Sequence, residues 1–387
     1  MTVKEIDKTY VANTYKRFPV EIVKGKGSFV YDENGNEYID MGSGFAVNTF
    51  GLSDETWIRA VESQLEKFPH TSNLYYTEPC ALLAKTLCEK TGMKKVFFSN
   101  SGAEANECAI KAARKYASET KGSEYFTIVT LKNSFHGRTL TTLSATGQER
   151  FHELFQPLTP GFVHVSANDE NELEEVLKTQ KIAAVMVECV QGEGGVMPLS
   201  EKYVKNLFSL AKKYGVLTIV DEVQTGNGRT GKLYSYMNFG VSPDIVSTAK
   251  GLGGGLPLGA TMLSEKLENV FGYGDHGSTF GANPVCCAGA LSVLSRLDEP
   301  FLAAVREKSS FLFETFSNAG GIKSVSGMGL MIGLETEKPA SDVVSECINN
   351  GVLCLTAKNK VRLLPALNIP TDVLAKAAEI IKRACAD

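Results

Sequence analysis

The stretch that decides the fold reads LTIVDEVQTGNGRTG at 217–231 and SPDIVSTAKGLGGGLPLG at 242–259. Its first apolar run ends on Asp221, and a second run at 245–246 is followed within four residues by Lys250. Short β-branched runs bounded by Gly and Asp predict buried strands. A carboxylate and an amine just past two strand ends would meet at one rim of an α/β sheet, where ligands bind.

The surroundings of Lys250 favour chemistry over a solvated surface charge, although most Asp and Lys side chains are exposed. Glycines follow at 251, 253, 254 and 255. Glycine lets the backbone approach a ligand closely but costs conformational entropy, so such a run indicates a purpose. A lysine in a partly desolvated site can bond covalently to a carbonyl compound. An aspartate can keep a pyridine nitrogen protonated.

A competing signal lies in the same stretch. Residues 226–231, GNGRTG, fit the dinucleotide pattern G-x-G-x-x-G, and Asp244 follows at a suitable distance. That pattern must join a strand directly to a helix. Here residues 221–225 intervene after the strand, and KLYSYMNFG at 232–240 has no helical stripe. A dinucleotide-dependent dehydrogenase is therefore kept as a rival hypothesis only.

Several strings resemble the core of the class III (ω-amino acid) pyridoxal-phosphate aminotransferases: DEVQTGNGRTG at 221–231, PDI at 243–245 and AKGLGGGLPLGA at 249–260. The resemblance runs from GKGSFVYDENGNEYIDMGSGFAVN at 25–48 to NIPTDVL at 368–374. It implies an α/β, type I pyridoxal-phosphate-dependent transferase fold, with a mostly parallel sheet in a large domain and a smaller α+β domain. Two departures are Gly51-Leu52-Ser53, which lacks a usual His-Pro, and Cys189, which replaces a usual Pro.

Composition places the chain among ordinary globular proteins. It has 387 residues, 43% hydrophobic and 22% charged, enough for a large core in two or three domains. Forty basic and 44 acidic residues give a net charge of −4, without the basic patch that marks a nucleic-acid or anionic-membrane surface. No apolar stretch approaches the roughly 20 residues needed to span a bilayer. We expect no nucleic-acid or membrane partner.

The cysteines and histidines indicate the cellular compartment and whether a metal site is expected. Nine cysteines, an odd number without C-x-x-C spacing, predict reduced thiols, and the first residues lack the apolar core of a signal peptide. These features predict a cytoplasmic protein. The five histidines are too far apart in sequence for a local metal motif, so no metal is expected.

Strand and helix signals alternate from residue 95 to residue 220, which predicts a mostly parallel sheet covered on both faces. The expected division is an arm and β meander at 1–47 belonging to the small domain, a large domain at 48–290, and the remaining small domain at 291–387. Within this scheme residues 42–48 are expected to be flexible. Ser53 is expected to cap a helix whose apolar stripe includes Leu65.

Residues 100–104, NSGAE, lie between a predicted strand and a predicted helix. Free N–H groups and the helix dipole make such a junction an anion site. The residues alone also fit a simple Ser cap. By resemblance, Ser101, Gly102 and Ala103 match the family's phosphate-binding loop.

Two further motifs follow predicted strands. Phe135 and Arg138 stand in FHGR, where a ring can stack on a pyridine and Arg can grip a carboxylate; a packed Phe beside a surface Arg is equally consistent. The resemblance implies that Phe135 stacks on the cofactor and that Arg138 binds a substrate carboxylate. The string ECVQGEG at 188–194 matches a family pattern, which implies that Glu188 lines the site wall and that Glu193 is a movable gate.

The remaining roles also come from the resemblance. Lys250 would hold pyridoxal 5'-phosphate and move the proton, and Asp221 would keep the ring nitrogen protonated. Gln224 would bond the phenolic oxygen, and Glu222 and Val223 complete the predicted cofactor-binding set. The pattern of predicted strands supports this assignment independently, because five of the site residues each follow a strand end: Ser101, Phe135, Glu188, Asp221 and Lys250.

Three residues connect the site to partners and substrates. By resemblance, Thr279 would bind the phosphate of the neighbouring subunit's cofactor and Ser278 would lie near substrate, so we expect a homodimer. Arg362 lies in VRLLPAL, an otherwise apolar strand. It is either paired structurally or reserved for a carboxylate, and the family makes it the site of an α-carboxylate.

The resemblance implies a reaction that moves the terminal amine of N2-acetylornithine to 2-oxoglutarate, giving N-acetylglutamate semialdehyde and glutamate. Gly44 stands where ornithine-specific members of the family have a Tyr that meets a free α-amine, so it leaves room for an acylated amine. Ornithine, succinylornithine, succinyldiaminopimelate, acetyllysine-type and 4-aminobutyrate donors remain alternatives. So does an aminomutase, which would need no 2-oxoglutarate.

Overall fold

Residues 1–386 are described by the computed structural model, and between residues 95 and 220 strands and helices alternate largely as the sequence predicts. The helices are α1 (Val3–Tyr10), α2 (Ser43–Ala46), α3 (Glu55–Lys67), α4 (Glu78–Thr91), α5 (Gly102–Lys121), α6 (Leu140–Ala145), α7 (Glu170–Thr179), α8 (Glu201–Tyr214), α9 (Pro284–Leu294), α10 (Glu299–Ser317), α11 (Ala340–Asn349) and α12 (Thr371–Ala386). The strands are β1 (Ile22–Lys26), β2 (Phe29–Asp32), β3 (Glu37–Asp40), β4 (Lys95–Ser99), β5 (Thr127–Leu131), β6 (Phe162–Val165), β7 (Ile182–Val187), β8 (Val190–Gln191), β9 (Met197–Pro198), β10 (Leu217–Asp221), β11 (Ile245–Thr248), β12 (Gly259–Leu263), β13 (Ile322–Met328), β14 (Met331–Thr336), β15 (Val352–Leu353), β16 (Leu355–Ala357) and β17 (Lys360–Leu363).

A seven-stranded sheet in the order β4-β12-β11-β10-β7-β5-β6 forms the centre of the fold. Strand β10 pairs in parallel with β11 on one side and β7 on the other. Strand β12 is antiparallel to both of its neighbours. The prediction of a mostly parallel sheet is confirmed, and the carboxyl ends of β7, β10 and β11 lie side by side at one rim.

The strand residues of this sheet are buried on both faces, as their continuous apolar runs predict. Every residue of β7 and of β10 is buried. Alternate residues of β7 contribute to different core clusters: Ala184 and Met186 pack with α5, whereas Val185 and Val187 pack with α8. The sheet is therefore the middle layer of three.

Local signals account for the ends of α8. The Ser200 hydroxyl accepts a hydrogen bond from the Tyr203 amide at 3.1 Å, which satisfies one of the free first-turn N–H groups. Gly215, with φ of 63°, ends the helix in the left-handed conformation, which glycine adopts without a steric penalty. The helix therefore ends in time for β10 to begin at Leu217.

The N-terminal meander pairs with a strand from the far end of the chain. Strands β1, β2 and β3 form a sheet with β15, and Ile39 lies opposite Val352 in a parallel pair. A further sheet, β13-β14-β17-β16, carries Arg362 in β17. The division of the chain at residues 47 and 290 stays a prediction, which these pairings support, although residue 290 falls inside α9.

Residues 42–48 contain a short left-handed segment, and their expected flexibility stays a prediction. Ser43, Gly44, Phe45 and Ala46 have φ of 45°, 62°, 62° and 65°. These residues form a left-handed turn, α2, closed by a 2.9 Å bond from the Val47 amide to the Ser43 carbonyl.

Helix α3 begins one residue later than predicted. Asp54, not Ser53, caps it by accepting the Trp57 amide at 2.8 Å. The Ser53 hydroxyl instead donates to the Gly25 carbonyl at 2.8 Å. Leu65 is exposed, and Gln64 is the buried residue of this helix, with its amide bonded to the Phe68 carbonyl.

The loop at 51–53, where the usual His-Pro of the family is missing, contacts the N-terminal meander. The Leu52 and Gly27 backbones exchange two hydrogen bonds of 2.7 and 2.8 Å. A Cβ at Gly25 would lie 2.5 Å from a methyl carbon of Leu52. The loop that lacks His-Pro is therefore held against the N-terminal meander.

The glycine pattern at 226–231 does not begin a helix. Asn227 donates to the Thr248 hydroxyl at 3.0 Å, and the buried Arg229 donates to the carbonyls of Leu330 and Pro365 at 3.0 and 2.6 Å. This segment packs the central sheet against the C-terminal part of the chain, and the strand–turn–helix context of a dinucleotide site is missing there.

Among the described helices, none combines the length and apolar character that a membrane span requires.

Candidate active site

Five predicted site residues meet at the rim of the central sheet. Asp221 ends β10, Glu188 directly follows β7, and Lys250 follows β11 by two residues. Ser101 and Phe135 follow β4 and β5. All five line one cavity of about 640 Å³. The parallel strand order explains the convergence, because it brings several carboxyl ends to one place.

Lys250 is the amine of this cavity. Its φ of 45° places a non-glycine residue in the left-handed region. Within residues 1–386, its Nζ makes no hydrogen bond. Burial lowers its pKa, and Arg362 adds to the effect, while Glu193, Asp221 and Glu188 oppose it. The amine is thereby shifted toward its neutral, nucleophilic form.

The Asp221 carboxylate is fixed by three donors. One oxygen, Oδ2, accepts from His136 Nδ1 at 2.8 Å and from Asn106 Nδ2 at 2.7 Å. The other, Oδ1, accepts from the Val223 amide at 2.9 Å. The Asn106 amide oxygen accepts in turn from the Ser247 hydroxyl at 2.6 Å. Asp221 can therefore present its charge to a ligand in one fixed orientation.

His136 and Asn106 have no assigned role in the sequence interpretation. His136 stands inside the FHGR motif, so that motif contained a signal for it. Asn106 lies on α5, 115 residues from Asp221 in the chain, and no local pattern connects the two.

The start of α5 forms the anion-binding corner. Ser101 caps the helix, and its hydroxyl accepts the Glu104 amide at 3.2 Å. The amides of Gly102 and Ala103 belong to the first turn, where N–H groups lack intrahelical partners. A Cβ on Gly102 would lie 2.6 Å from a Val223 methyl carbon. Glycine is therefore required for the helix start to lie this close to the end of β10.

Glu188 joins two segments of the cavity wall. Its carboxylate accepts the Phe135 amide at 2.9 Å and the Gly192 amide at 3.2 Å. Burial raises the Glu188 pKa to about 7; nearby His136 counteracts this and nearby Asp221 reinforces it. The carboxylate thus positions Phe135, whose ring meets the Phe151 ring edge-on with centroids 6.1 Å apart.

Arg138 lies exposed at the cavity mouth. Its guanidinium carbon is 4.3 Å from the centre of the Phe151 ring and 5.5 Å from that of Phe135. Among the described residues, no carboxylate forms an ion pair with it. It is therefore available to a carboxylate from outside.

Arg362 is the second guanidinium, and it is paired. Its Nη1 lies 2.5 Å from Glu193 Oε1, with the arginine side chain 1% exposed and the glutamate 27%. The same nitrogen donates to Gln224 Oε1 at 3.3 Å. The Phe45 ring covers the guanidinium at 5.1 Å. The buried charge is therefore balanced by a carboxylate that still has access to solvent.

Gly44 and Glu222 occupy contrasting places. Gly44 is exposed in the left-handed turn, and the nearest atom to an added Cβ is Asn48 Nδ2 at 3.5 Å.

Glu222 lies outside the cavity lining, since its carboxylate accepts from the Ser235 hydroxyl at 2.6 Å and the Tyr236 amide at 3.0 Å. The structure does not support the predicted cofactor contact of the Glu222 side chain.

Ser278 and Thr279 line a different cavity, of about 680 Å³. The Ser278 hydroxyl accepts from Asn100 Nδ2 at 3.1 Å, which links it to the segment that caps α5. Thr279 is exposed and is absent from the lining of the Lys250 cavity in its own chain.

A family model described as "Aminotransferase class-III" matches residues 10–385. The chain belongs to the class III aminotransferases. This family membership makes it a pyridoxal-phosphate-dependent transaminase, as the resemblance of its motifs implies.

Named relatives of this transaminase support the same family assignment. It is 48% identical over 381 residues to the acetylornithine aminotransferase of Haemophilus ducreyi, covering 98% of this chain and 97% of that protein. An N-acetylornithine aminotransferase structure from Stenotrophomonas maltophilia is 33% identical, with a TM-score of 0.85 over 98% of this chain and 97% of that one. An ornithine aminotransferase structure from Toxoplasma gondii, described with pyridoxal phosphate at its active site, is 33% identical, with a TM-score of 0.94 over 99% of this chain and 93% of that one.

The residues present fit pyridoxal phosphate. The cavity contains an amine without a hydrogen-bond partner among the described residues, a carboxylate anchored by His136 and Asn106, a half-buried ring and a helix start. The amine suits the aldehyde of the cofactor, and the carboxylate suits its ring nitrogen. The aromatic ring can cover a face of the cofactor ring, and the helix start suits its phosphate. Within residues 1–386, no group of three or more His, Cys, Asp or Glu residues is arranged to hold a metal ion.

Proposed function

We propose that this transaminase moves the terminal amine of N2-acetylornithine to 2-oxoglutarate, giving N-acetylglutamate semialdehyde and glutamate. The observation that carries the choice of donor is the 48% identity, over nearly the full length of both chains, to a protein named acetylornithine aminotransferase. The open space at Gly44 supports it, because Val47 of the same segment lines the Lys250 cavity. An acylated α-amine can therefore be accommodated near that turn.

The cofactor, when bound, supplies an electron-withdrawing ring that accepts the electron pair of a broken C–H bond. Lys250 would hold it covalently and, once displaced, take the proton from the substrate carbon that bears the amine. Asp221 would keep the ring nitrogen protonated. The amides at Gly102 and Ala103 would bind the phosphate, and Phe135 would cover a ring face.

Two guanidinium groups serve substrates of different charge. Acetylornithine has one carboxylate, which Arg138 would bind at the cavity mouth. Glutamate has two, and its α-carboxylate would need Arg362. A buried unpaired cation is costly, so Glu193 would pair with Arg362 while acetylornithine reacts and move aside for glutamate.

The donor is tested by a panel of amines assayed with 2-oxoglutarate, with glutamate measured as product. We expect N2-acetylornithine to give the highest kcat/KM, well above that of ornithine, 4-aminobutyrate and succinylated donors. One glutamate should form per semialdehyde. A higher kcat/KM for another donor would replace acetylornithine, and product formation without 2-oxoglutarate would indicate the aminomutase instead.

The gate is tested by Glu193→Ala and Arg362→Ala. Removing Glu193 should free Arg362 and tighten binding of glutamate and 2-oxoglutarate by roughly tenfold, equivalent to about 1.4 kcal/mol, while slowing acetylornithine turnover. Arg362→Ala should impair the glutamate half-reaction more than the acetylornithine half-reaction. Single-turnover absorbance spectra of each half-reaction measure both effects.

Glu193→Gln is the matched control, since it keeps the size of the side chain and removes only its charge. Its effect should lie in the same direction as that of Glu193→Ala. Equal losses in both half-reactions for Glu193→Ala or for Arg362→Ala would exclude the gate.

We also propose that the active unit is a homodimer in which Thr279 binds the phosphate of the neighbouring subunit's cofactor. The exposure of Thr279 and its absence from the Lys250 cavity of its own chain support this arrangement. Large exposed apolar side chains close to Thr279, including Leu74 of the same cavity and the adjacent Phe280, also support a surface that a partner covers. We place the enzyme in the cytoplasm, because all nine cysteines are free thiols.

Subunit complementation tests the sharing of sites. Lys250→Ala and Thr279→Glu should each be inactive alone, the second because a carboxylate would repel the phosphate. In a mixed dimer, one site combines an intact Lys250 with an intact Thr279 only if Thr279 acts on its neighbour. Activity should therefore return on mixing, and verified subunit exchange without any recovery would show that sites are not shared.

A further inference from the structure

The turn that carries Lys250 is held in an unfavourable conformation. Lys250 has φ of 45° and begins a short 3₁₀ turn that ends at Gly253. Non-glycine residues in the left-handed region cost free energy and persist only where surrounding contacts hold them. The Lys250 turn therefore needs external support.

The indole of Trp57 provides a direct contact to this turn. Its Nε1 donates to the Gly253 carbonyl at 3.0 Å. An added Cβ on Gly254 would lie 2.8 Å from the same nitrogen, and one on Gly289 of α9 also 2.8 Å away. The missing side chains therefore let the indole lie directly against the backbone that follows Lys250.

Trp57 is itself firmly anchored at the start of α3. Its amide donates to Asp54 Oδ1 at 2.8 Å, and Asp54 forms an ion pair with Arg296 at 2.9 Å. Close by, the Thr49 hydroxyl donates to the Gly251 carbonyl at 3.0 Å. Two side chains of the 49–57 segment thus hold two carbonyls of the Lys250 turn.

We propose that Trp57 is a positioning residue for Lys250, acting through the hydrogen bond from its indole N–H to the Gly253 carbonyl. The bond restrains the end of the 3₁₀ turn and with it the direction in which the lysine side chain leaves the backbone. Reaction geometry is sensitive to such restraint. The expected effect of Trp57 on the reaction rate rests on the proposed function of Lys250, whereas its expected effect on the turn does not.

The test removes the donor and keeps the ring. Trp57→Phe is one variant. Since Trp57 is the only tryptophan of the chain, replacing it with benzothienylalanine, in which sulfur takes the place of the N–H, is a second variant with nearly the same shape. Val61→Ala is the control, because Val61 also packs on Gly289 of α9 one turn along α3.

Amide hydrogen exchange of the cofactor-free protein is the first measurement. The amides of Leu252 and Gly253, which close the turn, should exchange about fivefold faster in both donor-lacking variants, equivalent to ~1 kcal/mol for one hydrogen bond. The control should leave these two amides unchanged. In the loaded enzyme, kcat should fall about fivefold in both variants with KM for the amino donor unchanged.

Unchanged exchange at Leu252 and Gly253 in the benzothienylalanine protein would overturn the proposal, even if Trp57→Phe fails to fold. Equal acceleration in the Val61→Ala control would also overturn it, because the effect would then come from general helix packing. Faster exchange with an unaltered kcat would show that the turn does not position the reacting group. Lys250→Ala tests the role of the lysine separately, so the two failures remain distinguishable.

Discussion

The buried ion pair between Arg362 and Glu193 is the constraint on which the site depends. A guanidinium that is 1% exposed, 2.5 Å from its carboxylate partner, must be neutralised wherever water is excluded. Arg362 comes from β17 and Glu193 from the segment after β8, so the pair joins the C-terminal sheet to the rim of the central one. Burial lowers the pKa of Lys250, and the two members of the pair act on it in opposite directions: Glu193 opposes the shift and Arg362 adds to it. The same contact thus connects the packing of the two sheets with the balance of charge around the buried amine.

The sequence predicted the parts of the fold whose signal is local. Strands β7, β10 and β11 are buried on both faces, so they stand out as apolar runs, and their ends located Glu188, Asp221 and Lys250. Strand β12 was not predicted, because its residues, GATML, continue a glycine-rich loop and pair with β4, whose residues lie some 160 positions away in the chain. The left-handed turn at 43–46 also lacked a signal, since three of its four residues are not glycine.

Within the site, the differences between expectation and structure have physical reasons of the same kind. Asp221 and Glu222 are adjacent at the end of β10, and neighbouring side chains of an extended chain point in opposite directions. One carboxylate therefore reaches the cavity, whereas the other bonds to Ser235 behind it. His136 and Asn106 support Asp221 from 85 and 115 residues away, and contacts at such separations leave no mark in spacing. Family resemblance supplied the roles that spacing could not, and the structure supplied the supporting contacts.

The proposal that Lys250 binds the cofactor covalently is tested most directly by mapping where pyridoxal phosphate attaches. The protein is loaded with pyridoxal phosphate, reduced with borohydride to make the covalent link permanent, digested and analysed by mass spectrometry. We expect one phosphopyridoxyl adduct, on the peptide that contains Lys250. An adduct confined to any other lysine, with Lys250 unmodified, would contradict it.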